Sequence, residues 1–138
     1  MISNNDIFVD TGAWVALADK DDAHHSEAVS LFPDILNDHR SLITSNLVIA
    51  ESYILILHNL GYKAAIQYLD GIKASPRIRR ICSTEGIEAE AEGILKKYVD
   101  QDFSYTDAVS FAIMKIYKVY KAFGFDSHFS TAGFTKTP

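Results

Sequence analysis

Residues 7–17 read Ile-Phe-Val-Asp-Thr-Gly-Ala-Trp-Val-Ala-Leu, and this stretch decides the class of fold. Its first three residues form a compact apolar run of the kind that favours a β-strand. Asp10 follows at the carboxyl end of the strand, Thr11 and Gly12 come next, and the residues after them suit a short helix. A strand that leads directly into a helix predicts the first unit of an α/β protein.

The same alternation continues along the chain. Further strands are predicted at residues 41–44, 77–83 and 122–125, with helical patterns between them. Strands separated by helices form βαβ units, which predicts one mostly parallel sheet with helices on both faces. No repeat, linker or low-complexity segment divides the chain, so a single domain is expected over residues 1–138.

Polar residues mark where several helices begin. The second helix is expected to start with Asp22 as its N-cap, and the third with a cap at Ser45 or Asn46. Ser104 and Asp107 have the spacing of a capping box before the last long helix. The last dozen residues are expected to be turn-like, with a possible edge strand.

Composition and charge narrow the class of protein. Of the 138 residues, 48% are hydrophobic, which is enough for a core. The net charge of −5 is unlike that of a protein that coats nucleic acid through a basic surface. A single cysteine allows no internal disulfide, and the first residues lack the features of a secretion signal. No apolar stretch reaches the roughly 18 residues of a membrane span, so we expect a cytoplasmic protein without a membrane partner.

Four carboxylates stand in positions that favour a shared site. Asp10 and Asp126 each follow a predicted strand, and ligands of open α/β sheets gather outside the carboxyl ends of the strands. Glu51 lies in a helix that is apolar nearly all round, where a lone buried carboxylate costs several kcal/mol. Asp107 stands in the first turn of its helix. A cluster of oxygen ligands with no cysteine or histidine partner suits hard cations such as Mg²⁺ or Mn²⁺.

Each acid also has a purely structural interpretation. Asp10 can serve as a helix N-cap, and Asp107 can interact with a helix dipole. Asp126 can be a turn residue, and Glu51 can pair with a distant cation. These alternatives remain open for each residue taken singly.

Four ordered segments of the chain resemble the four blocks of the PIN domain family. They are residues 8–17, 45–53, 103–114 and 122–134. The resemblance covers nearly the whole chain and is closest to the small VapC-like ribonuclease toxins of toxin–antitoxin pairs. It implies a single PIN-like domain with a parallel α/β sheet and an Mg²⁺- or Mn²⁺-dependent endoribonuclease activity.

The resemblance also assigns residues and partners. The acidic quartet of the family falls on Asp10, Glu51, Asp107 and Asp126, which would hold the metal. The hydroxyls beside these acids fall on Thr106 and Thr11. An RNA substrate, a cognate antitoxin protein and a homodimer are expected as partners.

Basic and aromatic residues supply weaker candidates. Lys115, Lys118 and Lys121 are spaced three residues apart and predict one basic helix face that contacts the RNA backbone. His128, two residues beyond Asp126, is a candidate for substrate contact. Trp14 is expected in the core rather than in a base-stacking platform.

Two other classes of protein stay open at this point. One is a folded but catalytically silent module that binds RNA or an antitoxin. The other is a phospho-acceptor receiver domain, which also has an acidic Mg²⁺ pocket on a parallel sheet. A receiver domain would need a lysine after a late strand, and none stands at a suitable place.

Overall fold

The computed structural model describes residues 5–138. Residues 1–4, which contribute to the prediction that a secretion signal is absent, lie outside the described residues. Within residues 5–138, five strands and seven helices follow one another as β1 (Ile7–Val9), α1 (Thr11–Ala18), α2 (His25–Asp38), β2 (Leu42–Ser45), α3 (Asn46–Leu60), α4 (Tyr62–Ala74), β3 (Ile78–Ile81), α5 (Glu85–Lys97), α6 (Tyr105–Tyr117), β4 (Lys121–Phe123), α7 (His128–Thr131) and β5 (Thr135–Thr137).

The five strands form one parallel sheet in the order β3-β2-β1-β4-β5. All three residues of β1 are fully buried, as expected for a central strand that is covered on both faces. The edge strand β3 has only partly buried or exposed residues. The predicted α/β class with a mostly parallel sheet is confirmed, and the described strands are all parallel.

The strand order places the helices on both faces. From β1 the chain moves through β2 to β3, and it then crosses back to β4 and β5 on the other side of β1. Right-handed crossovers therefore put α1 to α4 on one face and α5 to α7 on the other. The packing agrees, because α1 contacts α2 and α3, α3 contacts α4, and α5 contacts α6. The order reverses at β1, which makes the carboxyl end of β1 the switch point of the sheet.

Several helix ends follow the sequence closely. Ser45 is the N-cap of α3 and accepts a hydrogen bond from the Val48 N–H at 3.1 Å. Ser104 is the N-cap of α6 and forms the predicted capping box with Asp107. The described helices include none that is long and apolar enough to cross a membrane.

Two local predictions are wrong. The helix expected to start at Asp22 starts at His25, with His24 as its N-cap. The reason is a turn in which the Asp22 carboxylate accepts the His24 N–H at 2.8 Å and the Asp22 carbonyl accepts the His25 N–H. The carboxyl-terminal dozen residues contain the expected edge strand, β5, but they are not otherwise turn-like, since the short helix α7 precedes it and its Phe129 is buried against the core.

Aromatic rings fill the core beside the sheet. Phe129 from α7 packs against Phe8 and Phe111, with ring centroids 6.3 and 5.1 Å away. Trp14 lies in the core as expected, and its indole N–H donates to Thr44 Oγ1 at 3.3 Å. The contacts of Phe129 fix the short helix in which His128 is the first residue.

Candidate metal centre

Asp10 lies at the switch point of the sheet, directly after β1. Its backbone N–H donates to the Phe123 carbonyl of β4 at 3.0 Å, which ties the position of Asp10 to the neighbouring strand. Asp10 occupies the N-cap position of α1, but its side chain makes no capping hydrogen bond. The Asp10 side chain therefore does not act as a helix cap. The residue is nevertheless buried, with only 6% of its surface exposed.

Burial and neighbouring charges set the protonation of Asp10. Burial is the largest effect and raises its pKa from 3.8 to about 7, and the negative charges of Asp107, Glu51 and Asp126 contribute to the rise in that order. A hydrogen bond from the Thr11 backbone acts in the opposite direction. The three acids that the sequence placed with Asp10 are thus its electrostatic neighbours, and a cation would lower the cost of ionising it.

Asp107 has two tasks at the start of α6. Its Oδ2 accepts the Ser104 N–H at 3.1 Å, and the Asp107 N–H donates to Ser104 Oγ at 3.0 Å. The same Oδ2 lies 3.0 Å from Nδ1 of His128. The helix cap is therefore present, and it holds the carboxylate towards α7.

Asp126 and His128 form a tight turn after β4. Asp126 Oδ1 accepts the His128 N–H at 2.9 Å and lies 3.4 Å from Nδ1 of its ring. On its other side, His128 Nε2 lies 3.4 Å from Asp102, whose side chain is 98% exposed. Burial lowers the pKa of His128, but the hydrogen bond to Asp107 and the charges of Asp126, Asp107 and Asp102 outweigh burial and raise the pKa above its usual 6.5. The imidazole is held among carboxylates, which the sequence did not foresee.

Glu51 projects from the second turn of α3, on the opposite face of the sheet from α6. Its side chain is half-buried. The alternative of a pair with a distant cation finds no support within residues 5–138, where Glu51 takes part in no salt bridge. α3 and α6 are in contact, and the negative charge of Glu51 helps to raise the pKa of Asp10.

The two candidate hydroxyls differ in their surroundings. Thr11 is 5% exposed, and its Oγ1 has no hydrogen-bond partner among the described residues. Thr106 is half-buried at the start of α6. A buried hydroxyl without a partner is costly unless a bound group satisfies it.

The side chains present fit a divalent cation. Asp107, Asp126 and His128 each offer one ligand atom, and these atoms lie within 4.8 Å of one another. Carboxylate oxygens suit Mg²⁺ and Mn²⁺. The unpartnered hydroxyl of Thr11 beside Asp10 is a second feature that such a bound group would satisfy.

Sequence reasoning missed the role of Gly124. A Cβ atom at this position would lie 3.2 Å from the Cβ of Asp10 and 3.6 Å from its Oδ2. The missing side chain therefore leaves room for the Asp10 carboxylate at the end of β4. No sequence pattern marks such a contact, because the two residues follow strands that are far apart in the chain and adjacent in the sheet.

The prediction that three lysines form one basic helix face is wrong, because they do not lie on the same helix. α6 ends at Tyr117, Lys118 is its C-cap in the left-handed conformation, and Lys121 begins β4. Lys115 is the only one of the three on the helix, and it makes a salt bridge with Glu90 of α5. The chain turns between the lysines because Val119 is buried in the core.

Comparison with known proteins identifies the class. The PIN domain model matches residues 7–134, so the chain belongs to the PIN domain family. This excludes the receiver-domain alternative.

Individual relatives agree in length and structure. The chain is 34% identical over 130 residues to the 23S rRNA-specific endonuclease VapC20 of Mycobacterium tuberculosis, covering 94% of this chain and 96% of the relative. The crystal structure of that protein, described as a sarcin-ricin loop cleaving toxin, superimposes with a TM-score of 0.85 at 33% identity over 94% and 96% of the two chains. FitAcB from Neisseria gonorrhoeae shares the fold, with a TM-score of 0.65 at 17% identity over 96% of each chain.

Proposed function

We propose that this protein is an endoribonuclease that depends on Mg²⁺ or Mn²⁺ and acts as the toxin of a type II toxin–antitoxin pair. The observation that carries the proposal is the set of acids around Asp10 at the switch point of a PIN domain. The similarity to an rRNA endonuclease over 94% of the chain supports the choice of RNA as substrate. The whole of residues 1–138 would then serve as one nuclease domain.

Asp10, Glu51, Asp107 and Asp126 would hold the cation, directly or through water. When bound, the cation supplies an activated water and stabilises the negative charge that grows on the scissile phosphate. Asp10 has a pKa of about 7 without a cation, so cation binding at neutral pH releases part of a proton from this carboxyl.

Neighbouring side chains would keep these ligands in place. Ser104 and His128 both contact Oδ2 of Asp107, which leaves the second oxygen of that carboxylate for a cation. Thr11 and Thr106 would position water or phosphate through their hydroxyls. His128, first considered as a substrate contact, would act mainly as an orienting group for Asp107 and Asp126.

Partners and location follow from the same proposal. RNA would be the substrate, an antitoxin protein would inhibit the enzyme, and the active form would be a homodimer. Lys118 and Lys121 are exposed and remain predicted contacts to the RNA backbone, together with Lys115. The expected site of action is the cytoplasm, where a toxin of this kind meets cellular RNA.

The test is an RNA cleavage assay with metal-stripped protein. The first substrate to try is 23S rRNA, because this is the RNA named for the VapC20 relative. Cleavage is expected with added Mg²⁺ or Mn²⁺ and not with EDTA, and Asp10→Asn should abolish it. Equal cleavage with and without EDTA would refute the metal mechanism, whereas RNA binding without any cleavage would establish the catalytically silent alternative.

A further inference from the structure

A cavity of about 540 Å³ lies between α5, α6 and the turn from α7 to β5. It contains none of the residues of the acidic site. Lysines and tyrosines make up much of its wall, namely Lys97, Lys115, Lys118, Tyr98 and Tyr120. Lysines beside accessible aromatic rings are the side chains with which proteins hold single-stranded nucleic acid.

The lysines give the cavity a positive charge in a chain whose net charge is −5. Lys115 makes its salt bridge with Glu90, which also lines the cavity. Lys97 Nζ lies 5.5 Å from the centre of the Tyr98 ring. Neither Lys97 nor Lys118 takes part in a salt bridge within residues 5–138. Two cations are therefore available to an anionic ligand.

The aromatic residues supply a surface for a base. Tyr120 is 53% exposed at the rim of the cavity. Phe111 and Phe134 form part of the apolar wall, with their rings stacked at 5.8 Å. Every nucleobase has a flat apolar face, so stacking on an exposed ring suits RNA of any sequence.

Helix α6 connects the cavity with the acidic site. Asp107 lies in its first turn, and Lys118 follows its last residue. At about 1.5 Å of rise per residue, the two ends are roughly 16 Å apart. A stacked strand advances about 3.4 Å per nucleotide, so roughly five nucleotides cover this distance.

We propose that this cavity is a subsite for single-stranded RNA, which binds one nucleotide several positions away from the scissile bond. Lys97 and Lys118 hold its phosphate, and Tyr120 stacks on its base. The inference rests on the proposed ribonuclease function, and it adds a base-stacking subsite to the phosphate contacts expected from the lysines alone.

The test measures binding of a labelled single-stranded RNA of about 12 nucleotides by fluorescence anisotropy. An Asp10→Asn background keeps the RNA intact. The variant Lys97→Gln/Lys118→Asn removes both available cations, and Asn is well tolerated in the left-handed conformation of residue 118. Each phosphate neutralised on a single strand contributes about 0.7 to the slope of log K against log salt, so loss of the one phosphate contact should lower the slope by about 0.7 and affinity in 0.1 M salt by roughly fivefold.

A matched control removes the same number of charges elsewhere. Lys63 and Lys96 are exposed and lie outside the cavity, so Lys63→Gln/Lys96→Gln should change affinity by less than about threefold. Tyr120→Ala should weaken binding about tenfold without changing the salt slope, since stacking releases no counterions. Equal behaviour of the two lysine pairs would overturn the inference.

Two further measurements separate RNA binding in the cavity from dimer formation and from cleavage. If the molecular mass in solution changes in the cavity variant, a second copy of the chain covers the cavity and the inference is wrong. Binding is measured independently of cleavage. If the wild type cuts no RNA but the cavity variant binds RNA more weakly, the proposed function is refuted and the subsite stands. Conversely, unchanged binding in the cavity variant, together with full cleavage when the same two lysine substitutions are made in protein that retains Asp10, would refute the subsite alone.

Discussion

The two ends of α6 hold charges of opposite sign in different ways. At the first turn, Asp107 is fixed by a capping box and by the imidazole of His128. At the last turn, Lys115 and Lys118 are exposed, and Lys118 ends the helix in a left-handed conformation. The helix dipole favours an acid at the first end and a base at the second, so electrostatics alone accounts for the sign of both charges.

What differs is the degree to which each end is packed and hydrogen-bonded. A group that binds a cation must hold its oxygen atoms in a fixed geometry, and the surrounding bonds of Asp107 provide this. A group that attracts an RNA backbone needs only its charge, and a mobile lysine suffices. Substitutions at the acidic end of α6 should therefore alter both metal binding and stability. Substitutions at the lysine end should alter stability and leave metal binding unchanged.

The largest expected change in the stability of the metal-free protein comes from Asp10→Asn. Raising the pKa of Asp10 from 3.8 to about 7 corresponds to about 4 kcal/mol of cost for the ionised folded state, and Asn avoids this cost. Metal-free Asp10→Asn should therefore melt at or above the temperature of the wild type at about pH 8, by up to roughly 10 °C. A thermal melt of both proteins measures the difference.

Added Mn²⁺ should reverse this advantage of Asp10→Asn, because it should stabilise the wild type more than the variant. The wild type should gain about 2.7 kcal/mol when Mn²⁺ reaches about 100 times its Kd, and Asp10→Asn should gain much less and cut no RNA. Identical shifts of the melting temperature in the two proteins across a Mn²⁺ titration would remove Asp10 from the metal site.

The pH dependence of stability should separate Asp10 from His128. The folded pKa of Asp10 is raised, so the folded protein binds more protons than the unfolded chain between pH 3.8 and about 7, and stability falls as pH rises through this window. His128 also has a raised pKa; its contribution is complete below its ordinary pKa of 6.5 and is lost as pH rises through the folded value.

Denaturant melts of metal-free protein between about pH 4 and 9 test this assignment. Asp10→Asn should flatten the profile between about pH 4 and 7, and His128→Asn should flatten it only above about pH 6.5. A wild-type profile that rises between about pH 5 and 7 would contradict the assigned protonation of Asp10.

Much of the fold and part of the site could be predicted from sequence. The strand run before Asp10 and the Ser104 capping box depend on neighbours in the chain, so local patterns reveal them. The position of His128 depends on α7, which is four residues long and is held by the buried ring of Phe129. A helix of one turn has no periodicity that a sequence pattern can reveal. The contacts of His128 with the carboxylates depend on this helix, so they could not be predicted from the sequence.

The lysines were misjudged for a related reason. A spacing of three residues predicts one helix face only if the helix continues, and the buried Val119 turns the chain after Lys118. The contact of Gly124 with Asp10 is likewise tertiary, because it joins the ends of neighbouring strands.

A smaller effect is expected from a pair of glycine substitutions near the acids. Gly124→Ala would bring a Cβ to 3.2 Å from the Cβ of Asp10, so the carboxylate must shift by a few tenths of an ångström. Mn²⁺ affinity, measured from the shift of the melting temperature, should fall about tenfold. Gly12→Ala is the control, because a Cβ there meets nothing within 4 Å; it should leave Mn²⁺ affinity unchanged and stabilise the protein by about 0.5 kcal/mol. Equal Mn²⁺ affinities in the two variants would show that Gly124 does not position Asp10.

The smallest effect belongs to the lysine end of α6. Lys118 has φ of 58°, and this left-handed conformation costs a residue with a side chain about 1 kcal/mol that glycine does not incur. Lys118→Gly should therefore raise the free energy of unfolding by about 0.5 kcal/mol, once the greater freedom of glycine in the unfolded chain is subtracted. Lys121→Gly removes the same charge from an exposed position in β4 without a left-handed backbone, so it should lower the free energy of unfolding by about 0.5–1 kcal/mol.

Neither change should alter the Mn²⁺-induced shift of the melting temperature. Opposite signs in urea melts, with equal metal responses, would establish that stability at this end is a matter of backbone conformation alone; a loss of metal response in Lys118→Gly would mean that the two ends of α6 are coupled.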